Sequence, residues 1–206
     1  MEIIRVATIG DSLTRGGMEG TYQSFTRSWL SERGMQVIVE NHGISGQLVH
    51  QITSRIGSVL HADIIVFMAG TNDAWHFSAV SGDIGNEIVH EIVTGIEKAI
   101  ACVENVPVDH PPWLIVCTIP PVAEVPSLSP SVLLNIDRAN RQIVTTCKTR
   151  NVRFCDVNRA MRERKSTWAC RSLVGADGIH FTSEGNKVCG VQIARCIATM
   201  IEGSLE

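Results

Sequence analysis

Five short apolar runs constrain this chain more than anything else in it. IIRVATI (3–9), QVIVEN (36–41), DIIVFMA (63–69), WLIVCTI (113–119) and VRFCDV (152–157) are of strand length and rich in β-branched residues. Their apolarity is near-continuous rather than alternating, the mark of strands buried on both faces. Helical patterns lie between them. TYQSFTRSWLSERG sets Phe25, Trp29 and Leu30 on one face and reaches Gly34 as a C-cap. IGNEIVHEIVTGIEKAIACV repeats apolar residues at steps of three and four. SVLLNIDRANRQIVTTCKTR and SEGNKVCGVQIARCIATMI complete the set. Strand alternating with helix in this way predicts an α/β fold, one parallel sheet wrapped by helices through right-handed crossovers.

At 206 residues the chain can bury one sizeable core, and no repeat, linker or composition break divides it. A single domain over residues 1–206 is expected. With 44% hydrophobic and 19% charged residues and a net charge of −3, it has no basic surplus to suggest nucleic acid. No apolar stretch approaches the roughly 18–20 residues of a membrane span, so no membrane insertion is expected. The opening MEIIRVATIGDS is too short and wrongly flanked for a signal peptide. Seven scattered cysteines include no C-x-x-C, and most sit in apolar periodic segments where a thiol packs as a small hydrophobe. A reducing compartment fits them best, and a cytoplasmic location is expected. Nothing in the sequence specifies an oligomeric state.

Ligands of an open α/β sheet bind beyond the carboxyl ends of its strands. Strand one delivers Gly10-Asp11-Ser12 there, strand two NHGISGQ, and strand three Gly70-Thr71-Asn72-Asp73. Asp177-Gly178-Ile179-His180 stands just before the final helix. A serine, a Gly-rich turn, an asparagine and an Asp-x-x-His converging on one edge are the parts of an acyl-transfer site. Two further segments, the proline-rich 120–130 and 165–178, are expected at its rim.

GDSLTRG, the Gly46 turn, GTND and DGIHFTSEG resemble, in order, the four sequence blocks of the SGNH hydrolases, or GDSL esterase/lipase family. The likeness runs from residue 10 to residue 186. It implies a flavodoxin-like three-layer α/β/α sandwich with a five-stranded parallel sheet and metal-free hydrolysis of esters or thioesters, without a cofactor. It also implies Ser12 as nucleophile, His180 as base and Asp177 as its partner. Gly46, Asn72 and the backbone N–H of Ser12 become the oxyanion donors. The expected partner is a small-molecule ester.

The chemistry of each residue fits that assignment. A serine hydroxyl needs a neighbouring base to take its proton; its plainer reading at a strand end is a helix N-cap. Asp177, three residues before His180, can accept from one ring nitrogen while the other faces the serine. Thr182 or Ser183 reads as the cap of the last helix. Asp11, Trp75 and His76 are expected on the substrate side, with Asp11 also steadying the nucleophile turn by accepting backbone N–H groups. Phe77 accompanies them. Gly43 is expected to be a turn former, and Asp73 to hold loop geometry. His42, His50, His61, His90 and His110 form no ligand-spaced cluster in the sequence, which gives a metal site little support. Acyl transfer and thioester hydrolysis use the same parts. A non-catalytic flavodoxin-like binding module is a different class, disfavoured by the lack of G-x-x-x-x-G-K-[ST] and G-x-G-x-x-G.

Overall fold

The computed structural model describes residues 3–76, 84–107, 110–162 and 168–203. Five strands form one parallel sheet: β1 (Ile4–Gly10), β2 (Val37–Gly43), β3 (Ile64–Met68), β4 (Trp113–Cys117) and β5 (Arg153–Cys155), in the order β2-β1-β3-β4-β5. The expected strands are all present. Their burial follows from that order: β3 is buried throughout and β1 and β4 nearly so, whereas β2 and β5 are edges. β2 is therefore half-exposed along most of its length, and VIVENHG can turn polar after Val39 where the inner strands cannot.

Four longer helices match the sequence periodicity: α2 (Tyr22–Ser31), α5 (Ile84–Glu104), α6 (Pro130–Thr149) and α8 (Ser183–Gly203). Four short ones were not legible as helices: α1 (Ser12–Arg15), α3 (Val49–Ser54), α4 (Thr71–His76) and α7 (Val157–Met161). α2 packs on α8, and α5 on both α3 and α6. Because the chain steps from β1 outward to β2 and then back past β1 to β3, right-handed connections put these two helix groups on opposite faces. Ile65, Phe67, Ile9 and Ile115 fill the space between and are wholly buried. Each contributes about 1.5–3 kcal/mol by leaving water.

The buried side of α2 differs from the expected one. Phe25 and Trp29 are only half-buried, while Tyr22, Gln23, Thr26 and Leu30 face inward. Three of these four carry a polar group, and each makes bonds there. Gln23 Nε2 donates to Thr8 Oγ1 and to the Thr14 carbonyl, both at 2.8 Å, and Tyr22 Oη meets Thr14 Oγ1 at 3.2 Å. α1 is thereby tied from behind to β1 and α2.

From the front, two glycines let α1 press onto the strand ends. A Cβ at Gly10 would reach the Met68 carbonyl oxygen at 2.5 Å, and one at Gly43 would overlap the Arg15 backbone nitrogen. Gly43 is thus no turn former: it ends β2, has no positive φ, and is needed for backbone contact. Asn41 completes the junction by accepting from the Gly43 N–H at 3.0 Å and donating to the Arg15 carbonyl at 3.1 Å. Gly43→Ala is expected to cost about 1–3 kcal/mol or more through overpacking. A urea denaturation midpoint equal to wild type would show that α1 can move away without penalty.

Candidate active site

The turn that carries Ser12 begins where β1 ends. Asp11 caps α1, its Oδ1 accepting the Leu13 N–H at 2.9 Å, so that Ser12 opens the helix half-buried at the sheet edge. Asp11 itself is 1% exposed. Its carboxylate is buried next to Ser12 and, contrary to the substrate-side expectation, does not line the cleft.

His180 arrives from the other end of the chain on a tight hairpin. Val174 pairs antiparallel with Phe181, the Gly175 N–H donates to the His180 carbonyl at 2.7 Å, and Gly178 turns the tip at φ +77°. Within this tip the Asp177 carboxylate is fully used. Oδ1 accepts the N–H groups of Ile179 at 2.9 Å and His180 at 3.0 Å, and Oδ2 meets His180 Nδ1 at 2.6 Å. An ionised carboxylate only accepts, so Nδ1 carries the ring proton. Nε2 is then left as an acceptor, and it lies 2.9 Å from Ser12 Oγ. Partial burial pushes the Asp177 carboxyl up, but hydrogen bonds from the His180 ring and the two N–H groups outweigh it and hold it below its ordinary value.

The proline-rich segment after β4 does more than edge the site. Asn140 on α6 clasps the Ile119 backbone, Oδ1 accepting its N–H at 2.7 Å and Nδ2 donating to its carbonyl at 2.9 Å. Asn158 donates to the same carbonyl at 2.7 Å. Beyond this anchor Val122, Ala123, Val125 and Leu128 are buried. The Ala123 N–H donates to the Gly178 carbonyl at 2.8 Å, and Val125 and Leu128 pack so closely on Gly178 that its Cβ would lie 2.8 Å from Val125 Cγ2. The segment is a seat for the Asp177–His180 turn. Thr182, not Ser183, caps α8, its Oγ1 accepting the Gly185 N–H at 3.1 Å.

Loops after β1, β2 and β3 are strung together by Arg55 and Gln47, neither of which sequence reasoning singled out. Arg55 Nη2 donates to the Gly10 carbonyl at 2.9 Å and Nε to Gln47 Oε1 at 2.7 Å, while Asn72 Nδ2 donates to the Gln47 carbonyl at 2.9 Å. One amide hydrogen of Asn72 is thus committed, which fixes the plane of the other. Gly46 follows Ser45 in an exposed turn at φ +78°, and Ser45 borders the cleft. Asp73 accepts the Val49 N–H at 3.0 Å and so starts α3. Trp75, on α4, is 39% exposed and does not line the cleft. His76 ends α4, but its side chain, like Phe77, lies outside the described residues.

Together these elements leave a cleft of about 300 Å³ bordered by Ser12, His180, Leu13, Met18, Phe181 and Asn186. The Gly16–Gly20 loop forms one wall and is fastened to α8: Asn186 Nδ2 and the Ser183 N–H both donate to Glu19, at 3.3 Å.

A sequence model of the GDSL-like lipase/acylhydrolase family matches residues 8–188. The chain belongs to this family and is a carboxylic ester hydrolase. No curated protein matches it in sequence. Among solved structures it is similar to a lipase/acylhydrolase from Enterococcus faecalis, at 20% identity and TM-score 0.73 over 93% of this chain and 94% of that one. A carbohydrate acetylesterase from Sinorhizobium meliloti shares 19% identity at TM-score 0.73, covering 96% and 99%. An acetylxylan esterase from Geobacillus stearothermophilus, in a mutant form, shares 19% at TM-score 0.73, covering 94% of each chain. Among the described residues no helix is long and apolar enough to cross a membrane.

Beneath Ser12, burial pushes the Asp11 carboxyl up to about 7, with the Leu13 N–H opposing and the nearby Asp73 charge adding to the rise. An acid whose folded pKa lies above its unfolded value costs stability as pH rises between the two, here from about 4 to about 7, and nothing further beyond. Asp11→Asn keeps the capping oxygen and removes the charge. Its stability minus that of wild type is expected to grow across that window by an amount on the order of a few kcal/mol, then level off. Parallel pH profiles of the two proteins in urea unfolding would contradict this.

Proposed function

We propose that this chain is a serine esterase that removes short acyl groups, of acetyl type, through an acyl-enzyme on Ser12. The observation that carries the reading is the unbroken hydrogen-bond chain from Asp177 to His180 to Ser12, 2.6 Å and 2.9 Å long, opening into a small cleft. Ser12 Oγ attacks the ester carbonyl carbon while His180 Nε2 takes its proton. Asp177 holds the ring tautomer and stabilises the imidazolium. The oxyanion is received by the Ser12 and Gly46 N–H groups and the Asn72 amide. Collapse expels the alcohol, protonated by His180, and water repeats the sequence to release the acid.

The short-acyl preference rests on space. Leu13, Met18 and Phe181 offer apolar surface, but about 300 Å³ is at the small end for a ligand site. A carbohydrate acetylesterase and an acetylxylan esterase stand among the structural neighbours, which supports the same assignment. All seven cysteines are free, in keeping with a reducing, cytoplasmic setting.

Turnover of p-nitrophenyl esters of increasing chain length is expected to peak at acetate or propionate. A peak at long chains would overturn the preference. Ser12→Ala and His180→Ala should each lower kcat by about 10⁴–10⁶-fold, and Asn72→Ala by about 10²–10³-fold. Labelling by a fluorophosphonate should vanish in Ser12→Ala; persistent labelling or near-normal turnover would put the nucleophile elsewhere.

A further inference from the structure

A second cluster of chemically capable side chains lies on the edge strand, apart from the cleft. Glu40 and His42 are two residues apart on β2 and so share a face. The turn preceding β3 brings His61 onto the same spot. Nε2 of His42 at 3.1 Å and Nε2 of His61 at 2.8 Å both meet one oxygen, Glu40 Oε2. The ligating atoms of the three residues all lie within 4.8 Å of one another. The two rings meet edge to face, centroids 6.2 Å apart. The other Glu40 oxygen is 3.5 Å from Arg5 Nη1. A glutamate is ionised at neutral pH, so an anionic ligand is available.

Two imidazole nitrogens and a carboxylate oxygen are the donors that zinc-class ions take, whereas magnesium and calcium prefer oxygen alone. Bound at about 2.0–2.2 Å with tetrahedral angles, such donors stand about 3.3 Å from each other. Both nitrogen–oxygen spacings are already near that value. The nitrogen–nitrogen gap is no more than 4.8 Å, and the His42 and His61 side chains, 29% and 49% exposed, have room to turn.

We propose that Glu40, His42 and His61 form a binding site for one divalent zinc-class cation, with water completing its coordination. Each imidazole moves its ring proton from Nε2 to Nδ1 by exchange with solvent and gives the freed Nε2 lone pair to the ion, which replaces the hydrogen bond to Glu40. The ion staples the sheet's exposed edge to the turn before β3, adding a cross-link between segments some twenty positions apart in sequence. Arg5 opposes the added charge through its contact with Glu40 and keeps the site from being a tight one. None of the three residues borders the catalytic cleft, so the ion acts on the stability of the edge, not on the ester chemistry.

The test uses the full chain, freed of metal with a chelator. Titration calorimetry with Zn²⁺ at neutral pH should show one saturable equivalent and a raised thermal midpoint, and Mg²⁺ neither. Co²⁺ should give the visible bands of a nitrogen- and oxygen-ligated ion without thiolate charge transfer. His61→Ala, His42→Ala and Glu40→Gln should each weaken Zn²⁺ binding by at least about tenfold, the scale at which even residues one step removed from a metal matter. Metal-free His61→Ala should keep wild-type p-nitrophenyl acetate turnover, which shows that it is folded. Absence of saturable binding, a thiolate band, or undiminished affinity in His61→Ala would each overturn the proposal.

Discussion

The contact on which the rest of the structure depends is between two backbones: α1 pressed onto the ends of β1, β2 and β3. Any side chain at Gly10 or Gly43 would hold it off, and the Thr8–Gln23–Thr14 bonds hold it in place from within. A helix of four residues has no stability of its own. Its position is imposed entirely by surroundings, and with it the direction of the Ser12 hydroxyl. Asp11 is buried by the same packing, so an ionisable group lies next to Ser12 because the cap must be there and the space must be filled.

The second half of the site is positioned from the opposite end of the chain by different means. Asn140 and Asn158 satisfy the backbone of Ile119, which lets the segment after β4 run inward instead of over the surface. Buried backbone without such partners would be costly. That segment then supports Gly178, and Gly178 supports the His180 turn. The Asp177 and His180 side chains are about half-exposed, so their ion pair contributes little to stability. Its value is orientation: one carboxylate uses both oxygens to fix a ring and the backbone that carries it. Ser12 and His180, 168 residues apart, meet at 2.9 Å only because two independent supports agree.

The sequence alone determined the strands, their parallel arrangement, the four long helices and which residue types gather at the candidate site. All of these follow from local periodicity or from short motifs, whose signals do not depend on distant residues. Tertiary structure decided which strands are edges, which face of α2 is buried, and that GTND opens a helix. Those outcomes depend on neighbours that no window of sequence contains. It also decided that Asp11 lies under the site and that residues 120–130 support it. Arg55 and Gln47 were invisible for the same reason: Arg55 reaches the Gly10 carbonyl and Gln47 offers its own carbonyl to Asn72, and a backbone carbonyl carries no sequence identity. Glu40, His42 and His61 show the limit most plainly: two of them share a strand face by the period of two, but the third reaches them only through the path of the chain into β3. Spacing along a chain registers groups that one element presents together, and the fold alone registers groups that two elements bring together.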